Sequence, residues 1–161
     1  MKWKPTKIEE IPPKEMFKTK EMLINWIYRN MDQFEEAIQV KIADFNYVVI
    51  GIPFEERPDI CFGEKRRPND KIAVMICLDR ITKAKFKRIV DTANSLDAKK
   101  AVLIVTKVPQ NLFNWLDKIL QFRTEYIILK LSVSQIENSV MVPHLSMVNY
   151  SESVNTRYFR L

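Results

Sequence analysis

Residues 57–80 read RPDICFGEKRRPNDKIAVMICLDR, and the second half of that stretch decides the fold. Residues 72–78, IAVMICL, are apolar at every position. A half-exposed strand alternates polar and apolar side chains; a run that is greasy throughout belongs to a strand covered on both faces. DICF, residues 59–62, is a shorter strand-like run. Between them GEKRRPND, residues 63–70, carries the Gly, Pro and Asn of a polar turn. The stretch is a strand, a charged turn and a buried strand, so helices are needed above and below the sheet.

The flanking sequence supplies them. Upstream, residues 1–12 read as an extended arm. Met16, Phe17, Leu23, Ile24, Ile27 and Met31 then line one helical face over 14–31. Asp32 is placed to cap a second helix, 33–43, with Phe34, Ile38 and Ile42 on one side. FNYVVIGI, residues 45–52, is rich in β-branched and aromatic residues and predicts a strand. Downstream, Thr82 is placed to cap a helix over 83–96. AVLIVT, residues 101–106, is a second doubly buried strand, Pro109 opens another helix, and EYIILKL, residues 125–131, is a fifth strand. A helical turn is expected around 133–138, before VMVPHL and an irregular tail. The order β-β-β-α-β-α-β predicts an α/β fold, a mixed central sheet flanked by helices.

Composition narrows the chemistry. The chain has 161 residues, 47% hydrophobic and 29% charged, with a net charge of +6. One domain of this size buries a sufficient core without disulfides or metal. The two cysteines, Cys61 and Cys77, fall in apolar runs and read as buried thiols of an intracellular protein. A single histidine, His144, makes a His-based zinc centre untenable. With two glycines, there is no Gly-rich phosphate loop and no dinucleotide fingerprint. No apolar run approaches a membrane span, so no membrane partner is expected.

A Pro-Asp pair opening a strand resembles nucleases of the PD-(D/E)XK type, which put a metal-binding Asp there and an acid–x–Lys pair on the next strand. That chemistry needs carboxylates converging on a hard cation. In one register the second strand offers Ile76 and Leu78, in the other Cys77 and Asp79. Neither pair is an acid followed by lysine. Glu64 falls in the turn, and Glu21 and Glu35 fall on helices. Asp59 therefore reads as a capping or salt-bridging residue near Arg57, with no catalytic residue, metal or cofactor.

An empty frame of this kind resembles the jaw of the fifth-largest subunit of eukaryotic-type multisubunit DNA-dependent RNA polymerases and their viral relatives. Arg57-Pro58-Asp59-Ile60 resembles that family's Arg-x-Asp-Leu strand start. Lys71–Leu78 resembles its next apolar strand, and DAKKAVLIVT and VPQNLFNWLDKI resemble the strand and helix that follow. Met141-Val142-Pro143-His144 resembles its Leu-Val-Pro-Glu-His signature, with the Glu missing. The resemblance implies an N-terminal arm at 1–13, a degenerate nuclease-like jaw at 14–140 and a truncated assembly-domain-like tail at 141–161. It implies a non-catalytic subunit held by the largest and second-largest polymerase subunits beside downstream duplex DNA. Such a subunit would be nuclear in a cell, or in host cytoplasm or virion for a virus. The alternatives from the residues are a Mg-dependent nuclease and a free-standing nucleic-acid-binding module.

Two basic clusters are candidates for phosphate contact: Lys65, Arg66 and Arg67 in the turn, and Lys83, Lys87 and Arg88 on a helix face. Met141, Val142, Pro143, His144, Tyr158 and Phe159 are the candidates for docking a partner.

Overall fold

The computed structural model describes residues 6–46, 57–119, 124–137 and 139–148. Among the described residues seven strands form one mixed sheet with helices on both faces. In chain order the elements are β1 (Ile8–Ile11), a 3-10 turn (Pro13–Glu15), α1 (Lys20–Arg29), α2 (Met31–Ile38), β2 (Ile42–Asn46), β3 (Ile60–Glu64) and β4 (Lys71–Cys77). They continue with α3 (Lys83–Ser95), β5 (Lys100–Val105), α4 (Leu112–Asp117), β6 (Glu125–Ile136) and β7 (Val140–Met147).

β2, β3 and β4 are antiparallel neighbours; β4, β5 and β6 are parallel, with α3 and α4 as their crossovers. The two-sided greasiness of β4 follows. Ile72, Val74 and Ile76 enter the core under α1 and α2, with Leu23, Ile27, Phe34 and Ile38. Ala73 and Met75 enter the opposite core with Phe86, Ile89, Val90 and Ala93 of α3 and Leu112 and Leu116 of α4. β5 divides likewise, Val102 and Ile104 to the first core, Ala101, Leu103 and Val105 to the second. Ala73 and Ala101 are register partners, and both are fully buried beside Ala93. Small side chains at these points let α3 lie close to the sheet.

Thr82 caps α3 as its position suggested: its hydroxyl accepts from the Lys85 N–H at 3.2 Å. Thr82→Ala should lower stability by about 1 kcal/mol, read as a fall in the urea midpoint with unchanged slope.

The structure revises several expectations. The 14–31 helix is divided: after the 3-10 turn, Thr19 starts α1 by accepting from the Met22 N–H. The chain breaks at Asn30, and α2 begins at Met31 instead of after an Asp32 cap. α2 stops at Gln39, whose left-handed φ of 59° ends the helix, so Ile42 belongs to β2 and not to a helix reaching 43. Of the strand expected over 45–52, residues 47–52 lie outside the described residues. The arm over 1–12 contains β1, paired antiparallel with β6 from Ile8↔Ile136 to Ile11↔Val133.

The largest revision is at 133–138. Among the described residues no helical turn forms there; β6 runs on to Ile136 because β1 and β7 pair with it over 133–136. β7 is an antiparallel partner of β6 from Leu129↔Met147 to Ile136↔Val140, so the boundary drawn at 140/141 falls inside one hairpin. Val148 N–H donates to the Ile128 carbonyl at 2.8 Å. Carrying that alternation along the ladder puts Pro143, opposite Val133, where backbone groups face away from β6. The N–H that proline lacks is therefore not missed.

Candidate functional site

Asp59 stands just before β3, beside the C-terminal half of β4. Its backbone N–H donates to the Val74 carbonyl at 2.9 Å. Its carboxylate accepts the Ile76 N–H at 2.7 Å and lies 3.5 Å from the Lys20 ammonium on α1. Asp59 is thus a bridging residue whose carboxylate meets Ile76 and Lys20, where the sequence suggested a cap or salt bridge near Arg57. It ties the β3 entry to β4 and to the helix above.

The strand it faces carries hydrocarbon where a cation would need oxygen. Ile76 is buried in the first core and Leu78 packs against it. Cys77 packs against the second core. Burial pushes the Cys61 and Cys77 thiols up, Cys77 even with Lys20 and Lys85 nearby, which is the inert end of cysteine behaviour. Asp79 is exposed beyond β4 and hydrogen-bonded to Lys14, which holds its carboxyl below the usual range. Glu64 is not in a mobile turn but ends β3. Glu35 accepts the Ile42 N–H at 2.8 Å and fixes the α2–β2 corner; Glu21 is exposed. Among the described residues no three His, Cys, Asp or Glu side chains come together to hold a metal.

The two basic clusters do not meet. Lys65, Arg66 and Arg67 are exposed on the turn where β3 ends and β4 begins. The turn is closed by the Asp70 N–H to Arg67 carbonyl bond, 2.8 Å, and the Glu64 N–H to Asp70 carbonyl bond, 3.1 Å. Lys83, Lys87 and Arg88 are exposed on α3, whose N-terminus follows the other end of β4. A seven-residue strand separates the two ends by about 20 Å.

The docking candidates fall on β7. Met141 and His144 are exposed, Val142 is half-buried, and Pro143 is buried in the chain's own sheet. Tyr158 and Phe159 lie outside the described residues. Val140, Met141 and Met147 are the large apolar side chains that β7 leaves exposed.

A feature not anticipated from sequence is a cavity of about 400 Å³ beside the start of β6. Its walls include Ile38, Leu116, Ile128, Met147 and Tyr126. The Tyr126 hydroxyl is buried and, among the described residues, has no hydrogen-bond partner. Burial, with Asp91 adding to it, pushes this phenol up to about 12. A folded-state value above the unfolded one means stability is intact below about pH 10 and falls as pH rises from there through about 12. Tyr126→Phe should remove that alkaline loss and, by deleting an unpaired hydroxyl, raise neutral-pH stability by about 1 kcal/mol. Urea titrations at two pH values check both.

Compared with known protein families, curated proteins and solved structures, the chain matches none.

Proposed function

We propose that the chain is a non-catalytic subunit of a multisubunit DNA-dependent RNA polymerase, a rigid jaw element beside downstream DNA that docks on the largest subunit. The observation that carries this reading is the use made of Asp59. The residue that would begin a nuclease centre spends its carboxylate on a backbone N–H and a lysine, opposite Ile76 and Leu78. Support also comes from the run β2-β3-β4-α3-β5-α4-β6, which keeps the order read from sequence between α2 and β7. A body with two continuous cores and a seven-stranded sheet suits a part whose task is to hold shape.

Affinity purification of the tagged chain from its source tests the reading. The two large polymerase subunits should be recovered with it in near-equal amounts. Recovery as a lone monomer, or Mg²⁺- or Mn²⁺-dependent cleavage of DNA or RNA by the purified chain, would overturn it.

A further inference from the structure

A pocket of about 650 Å³ opens between the α1–α2 corner, the start of β2 and the end of β3. Its walls carry charge of both signs. Asp32 and Glu35 line it from α2, and Lys41 and Lys65 line it from the sheet, just before β2 and just past β3. Tyr28 and Met31 complete it, over the buried Phe62.

Each wall is a pair of like charges. The pairing Ile42↔Glu64, carried one residue outward, sets Lys41 opposite Lys65, and the Lys65 N–H donates to the Lys41 carbonyl at 2.9 Å. Residues opposed in this way have Cβ atoms about 5 Å apart. Asp32 and Glu35 are three residues apart on α2, hence neighbours on the helix surface. Glu35 accepts the Ile42 N–H at 2.8 Å, which ties the acidic wall to the strand that carries the basic one. Among the described residues no ion pair joins the two walls. Like charges opposed across a strand pair, or one turn apart on a helix, repel each other. The fold keeps two such pairs around one volume, and neither quenches the other.

We propose that this pocket binds a small zwitterion with an apolar body, of the amino-acid kind. Its carboxylate sits between Lys41 and Lys65, its ammonium against Asp32 and Glu35, and its side chain on Tyr28 and Met31. Each end of such a ligand relieves a like-charge pair that folding leaves in place. A simple anion gains from the lysines but is repelled by the acids, and a simple cation meets the reverse. The Tyr28 ring is 44% exposed and stands edge-on to Phe62 at 6.0 Å, so its hydrocarbon is held from beneath. The volume is that of a small-molecule site. Backbone hydrogen bonds at Ile42 and Lys65 set the walls before the ligand arrives, so little ordering accompanies binding. The proposal does not depend on the polymerase reading, which co-purification tests separately.

The test is an NMR titration of the isotope-labelled full chain at low salt with three probes. L-phenylalanine carries both charges, N-acetyl-L-phenylalanine keeps only the anion, and L-phenylalaninamide keeps only the cation. L-phenylalanine should move the amide signals of Ile42 and Lys65 and saturate in about the millimolar range, with each singly charged probe at least about tenfold weaker. Lys41→Gln/Lys65→Gln should bring L-phenylalanine down to the level of the amide probe and leave that probe no weaker. Asp32→Asn/Glu35→Gln should bring it down to the level of the acetylated probe; the glutamine keeps an oxygen for the Ile42 N–H, so the corner stands. Lys41→Arg/Lys65→Arg should keep binding, which separates lost charge from lost fold. No saturable shift at Ile42 and Lys65 with L-phenylalanine, or equal binding of all three probes, would overturn the proposal. So would a lysine-to-glutamine variant that weakens the amide probe as much as it weakens L-phenylalanine.

Discussion

Phe62→Ala should cost about 3–5 kcal/mol, enough to unfold much of the population of a domain of ordinary stability. Phe62 is fully buried in β3, and its ring meets two helices at once. The Phe34 ring of α2 is 5.8 Å away and tilted; the Tyr28 ring of α1 is 6.0 Å away and edge-on. Truncation removes the transfer energy of a large side chain, two ring contacts and the packing of the cavity left behind. That cavity opens under both N-terminal helices, whose buried Leu23, Ile27, Phe34 and Ile38 share one core with Phe62. The urea midpoint should fall severalfold further than for Met22→Ala, an exposed α1 residue whose change should stay within about 0.5 kcal/mol. Equal midpoints for the two variants would mean that α1 and α2 are not held through Phe62.

What could be read in the sequence was what local chemistry determines. β4 and β5 announce themselves because a strand covered twice has no polar position to spare. α3 does so through Thr82 and a face that repeats every three or four residues. β1 could not be read that way. IEEI has two glutamates at its centre, and its strand character comes from Ile136 and its neighbours, more than a hundred residues away. The end of β6 was missed for a related reason. LSVSQI alternates as a strand does, but serine and glutamine are equally at home in a turn, and only pairing with β1 and β7 decides between them. The site divides in the same way. The lack of ligands opposite Asp59 is a matter of residue type and was legible. The Ile76 N–H as its partner, and the meeting of Lys41 with Lys65, depend on register, which residue types do not state.

Asp59 gives the second large effect, and a pair of variants separates structure from chemistry. Asp59→Ala should cost about 2 kcal/mol, because the Ile76 N–H loses a charge-assisted acceptor in a part-buried position and water cannot fully replace it. Asp59→Asn should cost well under 1 kcal/mol: the amide oxygen can still accept from Ile76, and what is lost is the 3.5 Å contact with a half-exposed Lys20. A carboxylate kept for metal chemistry behaves in the opposite sense. There the amide is as damaging as alanine, since charge is what the cation needs, and removing the charge is often neutral for stability. The two variants therefore need only thermal or urea unfolding and a divalent-ion titration. A large alanine cost with a small asparagine cost, and no rise in midpoint on adding Mg²⁺ or Mn²⁺ to the wild type, is the pattern of a hydrogen-bonding strut. Equal costs, with a wild-type midpoint that climbs with the ion and variants that do not respond, would make Asp59 a ligand and return the chain to the nucleases.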